Sequence, residues 1–114
     1  MNIKKENKNA YKQMKFRVGI FQIKNLKSNK LFLKTSTDLD RAYSSDQFQL
    51  KMGLHSNDEL QKDWNLLGAD SFEFTIFDEL KINETASEPE IKSELKELLK
   101  LYQKDLLEKG IILY

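Results

Sequence analysis

The chain has 114 residues, one proline, no cysteine and a formal net charge of +1 at neutral pH. Its length sets an expectation of one domain with a single modest core. The lack of thiols excludes a disulfide framework and a thiolate zinc site, and no apolar run is long enough to predict a membrane span. The small net charge hides an asymmetry: residues 1–37 hold ten Lys or Arg against one acid, and residues 38–114 hold nine against seventeen. A basic front of this kind can meet phosphates, because Lys and Arg on one surface release counterions from nucleic acid. It can equally neutralise acidic helices of its own fold.

Residues 1–14 are Lys- and Asn-rich with scattered apolar side chains, and read as a loose arm before a single domain over 15–114. They carry no signal-peptide apolar segment, so the expected compartment is the cytoplasm. Phe16 to Ser36 reads as two strands and a turn. Phe16, Val18 and Ile20 alternate with Gly19, Phe21 and Ile23, and Leu31 and Leu33 alternate with Phe32. Asn25 to Lys30 is polar and suits a turn.

Thr37 or Asp38 can cap a following helix, whose apolar positions are Leu39, Ala42, Tyr43, Phe48 and Leu50. The pair Ser44–Ser45 predicts a break in its middle, and Gly53 predicts its stop. Ser56 with Glu59 has the form of a capping box for a second helix, with Leu60, Trp64 and Leu67 inward and Gly68 at its end. Ser71 to Phe77 alternates as a strand with one buried face, and Asp78 to Ala86 reads as an acidic connector. Ser87 caps a last helix with Pro89 in its first turn and an apolar stripe from Ile91 through Leu95, Leu98, Leu99 and Tyr102 to Leu106. Gly110 closes it, and Ile111 to Tyr114 is an apolar tail expected to dock on the body. The order strand, strand, helix, helix, strand, helix predicts an α/β (α+β type) fold with a mainly antiparallel sheet covered by helices.

Gly19-Ile20-Phe21, followed by Gln22-Ile23-Lys24-Asn25, resembles the first signature of the GIY-YIG nuclease superfamily. Phe32-Leu33-Lys34, followed by Thr35-Ser36, is similar to the second. The block from Phe48 to Leu80 adds a Gly, a His, an Asn, a Leu-Gln pair and an aromatic at comparable spacings. The resemblance covers roughly residues 15–109 and looks like the small free-standing bacterial members. It implies a three-stranded antiparallel sheet flanked by helices, in agreement with the element order read from the residues alone.

The family is understood to use a signature tyrosine as base, an arginine on the first helix against the phosphate, and a glutamate on the last helix for a divalent metal. Here the two tyrosine positions hold Phe21 and Phe32, which keep the ring and lack the oxygen. Lys34 replaces the signature glycine. Arg41 lies one residue short of the expected spacing, where Ala42 falls, and one residue turns a helical side chain by about 100°. The metal glutamate aligns with Leu99, and Glu97 lies two residues away on another face. His55, the single histidine, matches a family histidine near the site.

These substitutions argue against hydrolysis and for a degenerate site. The leading expectation is a DNA-binding, nuclease-like domain with contacts from Lys15, Arg17, Lys24, Lys27, Lys30 and Lys34. No cofactor is expected, with Mg2+ or Mn2+ needed only by an active enzyme. One alternative is a weak metal-dependent endonuclease that uses Arg41, His55 and Glu97 in altered geometry. The other is a protein-interaction module or homo-oligomer that pairs the basic and acidic halves.

Overall fold

The computed structural model describes residues 16–81 and 85–114, so the arm read over 1–14, and Lys15, lie outside the described residues. The elements are β1 (Val18–Asn25), β2 (Leu31–Ser36), α1 (Leu39–Met52), α2 (Asp58–Leu67), a 3-10 turn (Ala69–Ser71), β3 (Phe72–Leu80) and α3 (Glu88–Glu108). The three strands form one antiparallel sheet in the order β2-β1-β3, with the hairpin register Gly19↔Ser36 to Lys24↔Leu31. The expected α+β order and sheet are therefore present.

Strand alternation sends the two apolar sets of β1 to opposite faces. Phe21 and Ile23 join Leu39, Leu50, Leu60, Trp64 and Phe72 in a core under α1 and α2. Ile20 joins Leu31, Leu33 and Leu106 in a second core under α3. The sheet is a wall between two apolar layers, which is why its central strand is almost wholly buried.

β3 extends three residues into the stretch read as an acidic connector. The register against β1 shifts between Ile20 and Phe21, so Ile20 faces Asp78 while Phe21 faces Ile76, and Phe77 is the extra residue of a bulge. The bulge keeps both Phe77 and Asp78 toward α3, where Phe77 meets the Tyr102 ring edge-on and Tyr102 donates its hydroxyl to Asp78. Ile76, expected to be buried with Phe72 and Phe74, is left exposed at the sheet rim.

The predicted break at Ser44–Ser45 does not occur, and α1 is continuous. Both serines face solvent, and Ser45 accepts a hydrogen bond from the Gln49 side chain rather than competing for the backbone. The cap of α2 is Asn57, one residue after the serine expected; its side chain accepts from the Leu60 N–H. Ser87 caps α3 as expected and accepts from the Glu90 N–H. At the other end Gly110, at φ 84°, lets the Ile111 N–H reach the Leu106 carbonyl and turns the tail back onto the hairpin. There Leu113 bridges Leu31 in parallel.

Candidate functional site

His55 lies in the loop between α1 and α2 and is buried. Its Nδ1 accepts the Asn57 N–H at 3.0 Å, so in the neutral ring the proton sits on Nε2. Nε2 faces Asp46 Oδ2 at 2.8 Å, and the other oxygen of Asp46 lies 3.2 Å from Lys34 Nζ. The backbone N–H of His55 donates to the Gln61 side chain, whose amide donates in turn to the Leu50 carbonyl and to Asn65. Phe32 meets the imidazole edge-on at 5.3 Å. Both ring nitrogens of His55 are thus occupied inside the protein.

A second polar cluster lies under the hairpin turn. Asn25 accepts the N–H groups of Lys27 and Ser28 through Oδ1 and donates through Nδ2 to the Tyr114 hydroxyl at 2.8 Å. Tyr114 donates to Asp63 at 2.6 Å. Burial, and then the bond to Asp63, push the Tyr114 phenol up to about 12. Sequence reading assigned no role to Asn25, Asp46, Gln61 or Asp63. Asn25 carried a local signal, since an Asn opening a polar turn can bond its own backbone two residues on, and Gln61 stood only in the Leu-Gln pair of the resemblance.

The positions that align with the family's reacting groups are not gathered. Phe21 is buried at the base of a cleft of about 550 Å³ between α1 and β3, with Arg17, Tyr43 and Phe74 among its walls. Ala42 packs partly against the same core, while Arg41, one residue back, is exposed and makes no ion pair among the described residues. Leu99 lies across the sheet, packed with the α3 core. Glu97 is exposed.

The hairpin cations are largely committed inside the fold. Arg17 bonds Asp40 at 3.1 Å and Glu79 at 2.8 Å, and the Glu79 bond foremost raises its pKa. Lys30 pairs with Glu59 at 2.8 Å and lies over the Tyr114 ring, and Lys34 is held by Asp46. Lys24 and Lys27 have no ion pair among the described residues, and Lys24 lies opposite Glu73 across the β1–β3 register.

A divalent metal is implied by the resemblance. Among the described residues no group of three or more His, Asp or Glu could hold one, and the expected carboxylate position is a leucine in an apolar layer. The residues present do not fit the ion. Among the described residues no helix is long and apolar enough to cross a membrane.

No family model matches the chain, and no curated protein sequence matches it. Two solved structures do. One is the catalytic domain of the intron endonuclease I-TevI in a mutant form, 27% identical over 85% of this chain and 91% of that one, with a TM-score of 0.68. The other is the catalytic domain of the homing endonuclease I-TevI, 28% identical over 83% of this chain and 94% of that one, with a TM-score of 0.67. The signature segments pair as adjacent strands, Phe21 opposite Lys34 and Ile23 opposite Phe32, with the same order of helices after them. The fold, the paired signatures and these two neighbours place the chain in the GIY-YIG nuclease superfamily.

Proposed function

We propose that this chain is a nucleic-acid-binding domain of nuclease-like fold that does not hydrolyse its ligand. The observation that carries the reading is the state of positions 21 and 99. Each holds a hydrocarbon side chain, and the two lie in separate apolar layers on opposite faces of the sheet. Phosphodiester hydrolysis of the family's kind needs a base for water and a carboxylate for the metal at one place. A phenylalanine ring and a leucine provide neither. Binding needs less: a scaffold shaped for the phosphate backbone and cations to neutralise it. The likeness to an endonuclease catalytic domain supports the scaffold, and the uncommitted Lys24, Lys27 and Arg41 support the charge.

The test is a pair of measurements. Mobility shift of a DNA duplex at low salt, lost steeply as salt is added, is the expected result for binding. Incubation of plasmid with protein and Mg2+ or Mn2+, beside an Arg41→Ala control, is expected to leave it intact. Cleavage by the parent protein that the Arg41 change abolishes would replace this reading with that of a weak nuclease using Arg41, His55 and Glu97. Cleavage that survives the change would be a contaminant's.

Self-association is the second reading, and one feature favours it. Phe48, Met52 and Leu54 are 62%, 58% and 71% exposed around the C-terminal end of α1. Sedimentation across protein and salt concentration decides it. A concentration-dependent dimer that Phe48→Ser dissolves is the outcome it requires.

A further inference from the structure

Resting on that nucleic-acid reading, we propose that the cleft between the end of β2 and α3 is a metal-free phosphodiester-binding site. It lies on the sheet face opposite Phe21. Its volume is about 500 Å³, and its walls are the hydroxyl run Thr35, Ser36 and Thr37 on one side and Lys92 and Lys96 on the other. Leu95, which is fully buried, and Leu99 form the apolar part of its lining.

The two lysines stand four residues apart on α3, so they project from one helix face about 6 Å apart along the axis. Lys96 makes no ion pair among the described residues. Lys92 touches Glu88 at 3.2 Å, but both side chains are well over half exposed, so this i,i+4 contact exchanges readily for a phosphate. The facing wall supplies donors. The Thr35 and Thr37 hydroxyls rotate to suit an acceptor, while Ser36, paired with Gly19 and so on the Phe21 face, accepts the Asp38 N–H.

Charge separates this cleft from the other one. At the α1–β3 cleft the one cation among the described lining residues, Arg17, is bound by both Asp40 and Glu79, so its charge is already matched by two carboxylates. At the β2–α3 cleft two ammonium groups face hydroxyls. Leu99, which stands where the family's metal carboxylate would be, lines this same cleft. With no carboxylate there, direct contact by Lys92 and Lys96 replaces a metal bridge. Among the described residues that line it, none is placed to activate water, so it holds a phosphodiester and leaves it whole.

The experiment measures affinity for a fluorescent DNA oligonucleotide by anisotropy from roughly 50 to 200 mM salt, the range in which phosphate contacts are read out. It compares the parent protein, Lys92→Ala/Lys96→Ala, and Lys62→Ala/Lys104→Ala, which removes the same charge from exposed positions outside the cleft. Alanine favours the helix, so the fold is kept, and circular dichroism confirms it. The expected result is that the slope of log K against log salt falls by about 2 in the cleft variant, close to one for each phosphate contact removed, and far less in the control. Equal loss in both variants, or none in the cleft variant, overturns the site while leaving the binding function intact. A parent protein that binds no DNA overturns the function and the site together. A mononucleotide that binds as tightly as the oligonucleotide also overturns it, in favour of a small-ligand pocket.

Discussion

Asp46 Oδ2 lies 2.8 Å from His55 Nε2 inside the protein, and the proton between them belongs to the histidine because the Asn57 N–H occupies the other ring nitrogen. This pair ties the last turns of α1 to the start of α2. Lys34 closes it from the hairpin through the second oxygen of Asp46. The carboxylate is buried and serves two partners, so its loss leaves a buried N–H unpaired and an ammonium without its counter-charge. Asp46→Ala is expected to cost about 2–4 kcal/mol. Lys34→Ala, at a half-exposed ammonium, is expected to cost under about 1 kcal/mol. Urea unfolding followed by Trp64 fluorescence reads both, as a drop in midpoint at constant slope. Equal costs for the two changes would refute the ranking.

Gly19 is required by contact and not by its backbone angle. A Cβ built there would stand 2.1 Å from the Asp78 carbonyl oxygen of β3 and 2.9 Å from the Glu79 Cα. The clashing atoms are β3 backbone and not the far end of a flexible side chain, so Gly19→Ala must push the edge strand β3 off β1 beside the Phe77 bulge. The expected cost is about 3 kcal/mol, at the upper end for overpacking. Calorimetry should show it as a large fall in Tm. A variant as stable as the parent would mean that the two strands can separate there freely.

Tyr114 ties alkaline stability to the chain's last side chain. Its phenol is pushed up to about 12 from an ordinary 10.0 by burial and the bond to Asp63. The folded protein therefore holds this proton where the unfolded chain has released it. The stabilisation is complete below pH 10 and is lost as the pH rises from about 10 toward 12. Tyr102, bonded to Asp78, has its pKa shifted in the same direction and sharpens the fall. Tyr114→Phe is expected to lose less stability than the parent between pH 9.5 and 11.5. Parallel stability–pH curves for the two proteins would show that Tyr114 titrates no differently once unfolded.

Returning the missing phenol alone should restore nothing. Phe21→Tyr places an oxygen at the base of the α1–β3 cleft, while the carboxylate position, Leu99, lines the cleft across the sheet. Plasmid incubated with this variant and Mg2+ or Mn2+ is expected to stay supercoiled within the limit set by the parent protein. Nicking that rises with Phe21→Tyr would show that a metal and a phosphate already meet there, and the reading of a non-hydrolysing domain would fall.

The hairpin is legible in the amino-acid sequence because its information is local. Period-two alternation from Val18 to Ile23 separates two faces, and the observed layers under α1–α2 and under α3 follow that division at Ile20, Phe21 and Ile23. Trp64 and Leu60 are legible as core for the same reason, at period 3.6. The helix stop at Gly53 and the cap at Ser87 are legible from single residues. The break expected at Ser44–Ser45 overweights propensity, since two exposed serines cost a helix little once Leu39 and Leu50 anchor its ends in the core.

What the residues alone determined is the sheet with its two-sided burial and the absence of oxygen at positions 21, 32 and 99. Composition and alternation act over a few neighbours and need no partner. What only the folded chain decided is where the charges go. Arg17, Lys30 and Lys34 spend their charge on Asp40, Glu79, Glu59 and Asp46, whereas Lys92 and Lys96 converge on a cleft with Thr35 to Thr37. A charge takes its meaning from the group a few ångströms away, and across a sheet that group lies tens of residues off in sequence.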